Sequence, residues 1–523
     1  MAAAQRGVVA AGHPLTAQAG ADVLRAGGNA VDAAVAAMLT SFAAEPLLTG
    51  LGAGGYMLVA GPDREPALLD FFVQAPTRAR DGSAAELEAV DVSFGDAVQV
   101  FYIGPASCGV YGTPAGVCEA VKRWGTAPLA DLAAPAVRLA REGAPLNAGQ
   151  AYIVEILGDL LRSTPESAAL WAPHGELLRE GERQANPELA DALERLGRDG
   201  AQPFYEGDVA AAVCAWLGER GGSIRPEDLA AYRAIVREPL RMRYRDREVL
   251  TNPPPSAGGT LIAYALGLLD AQPAPPTLEA VVGAMEAAQR ERTPEFVQGL
   301  SEEGFLAGFL SSRLGSTTHI SVLDRRGVAC SVTCTNGEGS GVVVPGTGIH
   351  LNNVMGEEDL SPLGFHTHPA GRRMPSMMAP SVVMLAGRSE ISSISDRWRS
   401  RCVPGWVGLP FRYRSLIGGE VELVLGSAGS NRIRSAILQT IVGVVDRGLS
   451  APEAVRAPRV HFEDGILYHE PGLEPGHTLT GEREVVRFHD LNLFFGGVQA
   501  VQRRGEELIG AGDPRRGGVA VAV

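Results

Sequence analysis

Thr317 raises the first chemical possibility. In "GSTTHISVLD", residues 315–324, a Gly-Ser pair leads into two threonines and a histidine, and Ile320, Val322 and Leu323 then read as a β-strand. A polar loop entering a strand accounts for this pattern without any chemistry. A second account makes Thr317 an N-terminus. A threonine hydroxyl inside a chain is a poor nucleophile. Breaking the Ser316–Thr317 bond would place a free α-amine beside that hydroxyl. With an ordinary pKa of about 8, the amine can take the hydroxyl proton near neutral pH, so one residue supplies nucleophile and base. Acyl transfer then needs donors for an oxyanion. "VLGSAGSNRIRSAIL" offers a strand, a Gly/Ser turn and a helix start, where the backbone N–H groups of Gly429 and Ser430 would have no intrahelical partner.

Two other stretches resemble sites. "GLGAGG", Gly50–Gly55, matches a dinucleotide-binding glycine pattern, but such a pattern needs a strand before it and a helix after it. Here the order is helix, glycines, strand, so the expectation is a tight turn where backbones approach closely. In "HTHPAGRRMPSMMA", His366, His368 and Ser376 resemble the site of zinc-dependent isopeptidases. Ala379 stands where that arrangement needs an aspartate, which leaves the ligand set incomplete.

These residues need a frame. "HPLTAQAGADVLRAGGNAVDAAVAAMLTSFAAEP" predicts two helices, the first ended by Gly27-Gly28 and the second capped by Asn29 and closed by Pro46. Strands are expected at "ALLDFFVQAP" and through 232–255, and amphipathic helices dominate 115–220. Helices follow at "GGTLIAYALGLLD" and near 277–293. "THISVLDRRGVACSVTCT" predicts a hairpin about Asp324-Arg325-Arg326-Gly327. Strands recur at "APSVVML", "GEVELVLGS" and "NLFFGGVQAVQRRGEELIGAG", with helices at "NRIRSAILQTIVGVVDRG" and "SAPEAVRA". Mixed helices and strands fit stacked sheets covered by helices. Residues 386–418 interrupt two strands that a tight turn could join, and they read as an inserted surface loop rather than a lid.

The 523 residues, 45% hydrophobic and 20% charged, make an ordinary globular composition, long enough for about three domains or one large α/β unit. A net charge of −14 argues against a nucleic-acid partner. The cysteines, Cys108, Cys118, Cys214, Cys330, Cys334 and Cys402, form no C-x-x-C pair and read as buried thiols. The start "MAAAQRGVVAAGHPL" lacks the pattern of a signal peptide, and the Ala-rich stretch near 30–46 is short and carries Asp32 and Glu45. The expected location is cytoplasmic, with export open if the true start lies upstream.

With "GHPLTAQAGADVLRAGGNAVDAA", "NPPPSAGGT", "STTHISVLD", "VPGTGIHLNN", "GSAGSNRI" and "GDPRRGG" all in order, the chain resembles the γ-glutamyltranspeptidase family of N-terminal-nucleophile hydrolases. The resemblance runs nearly end to end, leaving out the segment near 386–418. It implies an α+β fold, a four-layer αββα sandwich made as one precursor. Cleavage before Thr317 would divide it into a large subunit region, residues 1–316, and a small catalytic one, residues 317–523, that stay together. Thr317 matches the family's nucleophile, Thr335 the threonine that orients it, and Gly429 and Ser430 the oxyanion donors. Asn336, Asn353 and Glu357 fall near the positions that hold a substrate α-amino group. Ser376 matches one serine that contacts the α-carboxylate, and Met377 replaces a second. The largest departure is in "LLDFFVQAP", where Phe72 stands in place of the arginine that pairs with the glutamyl α-carboxylate. Arg372 or Arg373 could supply that charge instead. The implied activity is hydrolysis or transfer of a γ-glutamyl group from glutathione or a related compound, with water or an amine as acceptor. No metal or organic cofactor is implied, and no nucleic-acid or membrane partner. A related acylase with another acyl donor, or a non-catalytic relative that binds a ligand, remains open.

Overall fold

The computed structural model describes residues 5–77, 87–93, 98–291, 317–357, 360–361, 364–385, 419–473, 475–476, 479 and 483–523. Ser316 and the expected insertion at 386–418 lie outside them.

Two antiparallel sheets form the centre. The first orders Val519–Ala522, Gly7–Ala11, Thr318–Asp324, Ala329–Thr335, Gly54–Gly61, Arg64–Phe71 and Ile235–Arg237. The second orders Glu507–Ala511, Gly497–Arg504, Val421–Ala428, Ser381–Leu385, Arg247–Thr251 and Leu240–Tyr244. Thr318–Asp324 packs across the gap on Val421–Ala428 and Gly497–Arg504. Helices Pro14–Ala26 and Ala30–Ala44 cover the first sheet, and Ala257–Asp270 and Arg432–Val445 cover the second. The result is the expected αββα sandwich.

Period-two alternation explains both faces of the central strand. Ile320 and Val322 pack into the apolar layer with Met38 and Leu39 of the covering helix. His319 and Ser321 face the other sheet, and Ser321 Oγ donates to Gln499 O at 3.0 Å across the gap. Ser331 Oγ does the same to Leu425 O at 2.9 Å. These hydroxyls fix the sheets' relative placement, a task that apolar contact alone does not specify in direction.

The two N-terminal helices form as expected. Gly27 takes the left-handed conformation, with φ of 102°, and ends the first. Asn29 accepts from the N–H groups of Val31 and Asp32 while the Asp32 carboxylate accepts from Asn29 N, a reciprocal cap. Every residue of Ala30–Ala44 is buried. Among the described residues no helix is long and apolar enough to cross a membrane.

Candidate active site

Thr317 precedes the first residue of the central strand and is buried. The hairpin register pairs Thr318 with Cys334. Continued by one residue, it places Thr335 opposite Thr317. Thr335 Oγ1 accepts from Gly337 N at 2.9 Å, which tightens the chain just after the strand. Thr317 lines a cleft, together with Gly12, His13, Glu45, Leu47, Leu48, Ile153, Trp171, Ala428 and Arg516.

The Gly50–Gly55 stretch is the close approach its glycines suggested. A Cβ at Gly52 would fall 2.3 Å from His350 O, and one at Gly55 2.3 Å from Thr333 O. This contact lays residues 46–53 along the end of the Thr318–Thr335 hairpin, where Leu48 O accepts from Asn336 N at 3.1 Å. Asn336 is fully buried, and its side-chain amide has no hydrogen-bond partner among the described residues. Asn353 Oδ1 accepts from Glu338 N at 2.9 Å. Asn353 and Glu357 both crowd Gly337, since a Cβ there would lie 2.1 Å from Asn353 Oδ1 and 2.6 Å from Glu357 Oε1. Thr335, Asn336, Asn353 and Glu357 are therefore one cluster at the end of the hairpin.

Gly429 and Ser430 form the turn between Val421–Ala428 and Arg432–Val445. Both are left-handed, with φ of 107° and 67°. Their carbonyls accept from Arg432 N and Ile433 N, at 3.1 and 3.0 Å. Such a turn gathers successive N–H groups on one side, as anion-binding backbones do. The turn lines a second cavity with Glu338, Arg432 and Arg516. Both cavities share Leu47, Leu48, Ile153, Leu493 and Arg516 as walls.

Ser376 lies elsewhere in its contacts. Its Oγ accepts from Met378 N at 3.0 Å. Its carbonyl accepts from Ala257 N at 2.8 Å, at the start of the helix Ala257–Asp270. It lines neither cavity. The expectation for the arginines is corrected. Arg373 is buried and committed: its guanidinium donates to Asp70 Oδ1 at 3.2 Å, to Gln74 Oε1 at 3.1 Å and to Arg233 O, and lies 4.3 Å over the Tyr232 ring. Arg372 is exposed. Phe72 is buried and stacks on Tyr56 with centroids 5.5 Å apart.

The gamma-glutamyltranspeptidase family model matches residues 16–301, 301–392 and 413–523. The chain belongs to the gamma-glutamyltranspeptidase family. The gap between the matched segments, residues 393–412, falls inside the expected insertion. The acylase ACY 1 proenzyme of Pseudomonas sp. strain SE83 is 31% identical over 513 residues, covering 90% of this chain and 85% of that protein. The glutathione hydrolase proenzyme of Escherichia coli K12 is 30% identical over 566 residues, covering 98% and 91%. The crystal structure of a cephalosporin acylase from Bacillus halodurans shares the fold, with a TM-score of 0.78 over 99% of this chain and 96% of that one, at 24% identity. These relatives make the chain a hydrolase of the gamma-glutamyltranspeptidase family, with glutathione hydrolases and acylases at similar distance.

In this gamma-glutamyltranspeptidase-family chain, two residues lining the Thr317 cleft escaped the sequence reading. Glu45, at the end of the buried helix, accepts from Thr16 Oγ1 at 2.9 Å and from Thr318 Oγ1 at 3.0 Å. Burial pushes its carboxyl up to about 7, against the pull of those hydroxyls and Arg516. A carboxylate closing an otherwise apolar helix was the available signal. The other is Arg516, the second arginine of "GDPRRGG". The histidines of the cleft are neutral near physiological pH. Burial lowers His13 to about 4 and His319 to about 3, and His319 is held by Thr333 Oγ1 at 2.7 Å and Ser321 Oγ at 3.0 Å. His368 Nε2 is bonded to Leu360 O at 2.6 Å. Among the described residues no three His, Cys, Asp or Glu side chains converge as a metal site would require.

Proposed function

We propose that this chain is a self-processing amide hydrolase or acyltransferase in which Thr317 is the nucleophile. The observation that carries this reading is Thr317 at the end of the central strand, lining a cleft whose walls continue to the left-handed Gly429–Ser430 turn. Cleavage before Thr317 frees its α-amine, which takes the hydroxyl proton as the oxygen attacks an amide carbonyl. The N–H groups of Gly429 and Ser430 receive the oxyanion, and Ser430 serves as well as glycine because only its backbone is used. The tetrahedral intermediate collapses with loss of the amine, leaving an acyl-threonine ester. Water or another amine then resolves it. Thr335, opposite Thr317, orients the nucleophile. Asn336, Asn353 and Glu357 are the proposed contacts to a γ-glutamyl donor, of which glutathione is the leading example; Ser376, which lines neither cavity, is not counted with them.

Both sheets mix strands from either side of the cleavage point. In the first, Thr318–Asp324 lies between Gly7–Ala11 and Ala329–Thr335, and in the second Arg247–Thr251 pairs with Ser381–Leu385. Ladder hydrogen bonds and a shared core therefore hold the two products together after the cut.

Phe72 and Arg373 favour a second reading, an acylase whose acyl group lacks the glutamyl carboxylate at that position. Phe72 offers no charge, and Arg373 is already committed to Asp70. Denaturing electrophoresis and N-terminal sequencing test the main proposal. The unmutated protein should give two chains of about 33 and 22 kDa, the second starting at Thr317, dividing 54.8 kDa by residue number. Thr317→Ala should give one chain and no amide turnover. A single uncut chain from active unmutated protein would refute the proposal, and an uncut inactive one favours a ligand-binding relative. Amine release from a panel of γ-glutamyl and other acyl amides then separates the two readings of the donor.

A further inference from the structure

A substrate carboxylate entering a chain with net charge −14 needs a local cation. Position 72 has none, and Arg373 is tied to Asp70. Arg515 is tied as well, with Nε donating to Glu470 Oε1 at 2.7 Å and Nη1 to Asp513 Oδ1 at 3.2 Å.

Arg516 differs. It lines both the Thr317 cleft and the second cavity. Its Nη2 donates to Leu493 O at 3.3 Å, while its buried Nε has no partner among the described residues. The guanidinium lies against the Gly429 turn, since a Cβ at Gly429 would fall 3.2 Å from Arg516 Nη2. A second cation, Arg432, lines the same cavity, held 4.6 Å over the Phe494 ring with Nε donating to Phe494 O at 2.9 Å. Burial and then the repulsion of Arg432 lower Arg516 to about 10, so it keeps its charge at neutral pH. Glu338 is the carboxylate lining that cavity, and Glu45 lines the Thr317 side. The shared walls, Leu47, Leu48, Ile153 and Leu493, are apolar, which strengthens any ion pair made between them.

We propose, on the strength of the Thr317 chemistry above, that Arg516 is a specificity-determining residue that binds a substrate carboxylate where the two cavities meet. The ligand class is an amide with one carboxylate on an otherwise apolar segment beside the scissile bond. A guanidinium with donors to spare matches a carboxylate in two-point geometry, which lysine cannot reproduce.

Three amides with the same scissile bond test this: one with a carboxylate on the acyl part, one with it on the amine part, and one with a neutral carboxamide replacing it. For the processed protein, kcat/KM should favour one of the carboxylates over the neutral amide by about 10- to 100-fold. In Arg516→Gln that ratio should fall to near one, and in Arg516→Lys to an intermediate value. Should Arg516→Gln not mature, Arg516→Lys alone supplies the comparison. The favoured carboxylate shows whether the acyl or the amine part is read. Equal kcat/KM for all three amides with the unmutated protein, or a preference that survives in both variants, overturns the role of Arg516. Failure to cleave any of the three, or a missing N-terminal Thr317, instead defeats the parent proposal.

Discussion

Glu45 couples protonation to stability beside Thr317, and the size of that coupling can be worked out. The carboxyl is 5% exposed and accepts from two threonine hydroxyls. Its surroundings bring Arg516 from the C-terminal turn and His13 from the N-terminal helix cap, and His13 is neutral above about 4. Desolvation dominates and raises Glu45 from 4.5 to about 7. Below pH 4.5 the carboxyl is protonated in both folded and unfolded chains. Between 4.5 and 7 the unfolded chain ionises while the folded one keeps its proton, so stability falls as pH rises; above 7 both are ionised and the loss is complete. At about 1.4 kcal/mol per pKa unit, the total is about 3 kcal/mol. Glu45→Gln keeps an oxygen for the hydroxyls and carries no charge, so it should escape this loss. The comparison belongs in Thr317→Ala protein, which under the proposed processing stays a single uncut chain. Urea midpoints measured from pH 4.5 to pH 8 should show Glu45→Gln gaining on its parent as pH rises, with the gain levelling off just above neutrality. A constant difference across that range would show that Glu45 ionises like an ordinary carboxylate, and the account of desolvation would fail.

Ser430→Gly should keep amide turnover and stabilise the protein by about 1 kcal/mol, because φ of 67° strains a residue with a Cβ; thermal unfolding and kcat/KM check both halves. Phe72→Ala should destabilise by about 3–5 kcal/mol, since it opens a cavity beside Tyr56 in the main core, as a chemical denaturation midpoint will show.

The helix caps, the hairpin and the order of elements were legible in the sequence because each rests on neighbouring residues. Gly27 ends a helix through its own φ, Asn29 caps through its own side chain, and Thr317 announces itself by what its own amine and hydroxyl could do together. Gly50–Gly55 was also correctly read as a close approach, though not what it approaches. What tertiary structure alone decided is which side chains remain available. Arg373 and Arg516 look equivalent in the sequence, yet one is consumed by Asp70, contributed from about 300 residues away. The other is left with a buried donor beside the Gly429–Ser430 turn. Glu45 likewise acquired its altered acidity only when folding removed water and brought Thr16, Thr318 and Arg516 around it. Local conformation is written in consecutive residues, whereas charge, acidity and free hydrogen-bonding capacity depend on partners that the chain brings together only when folded.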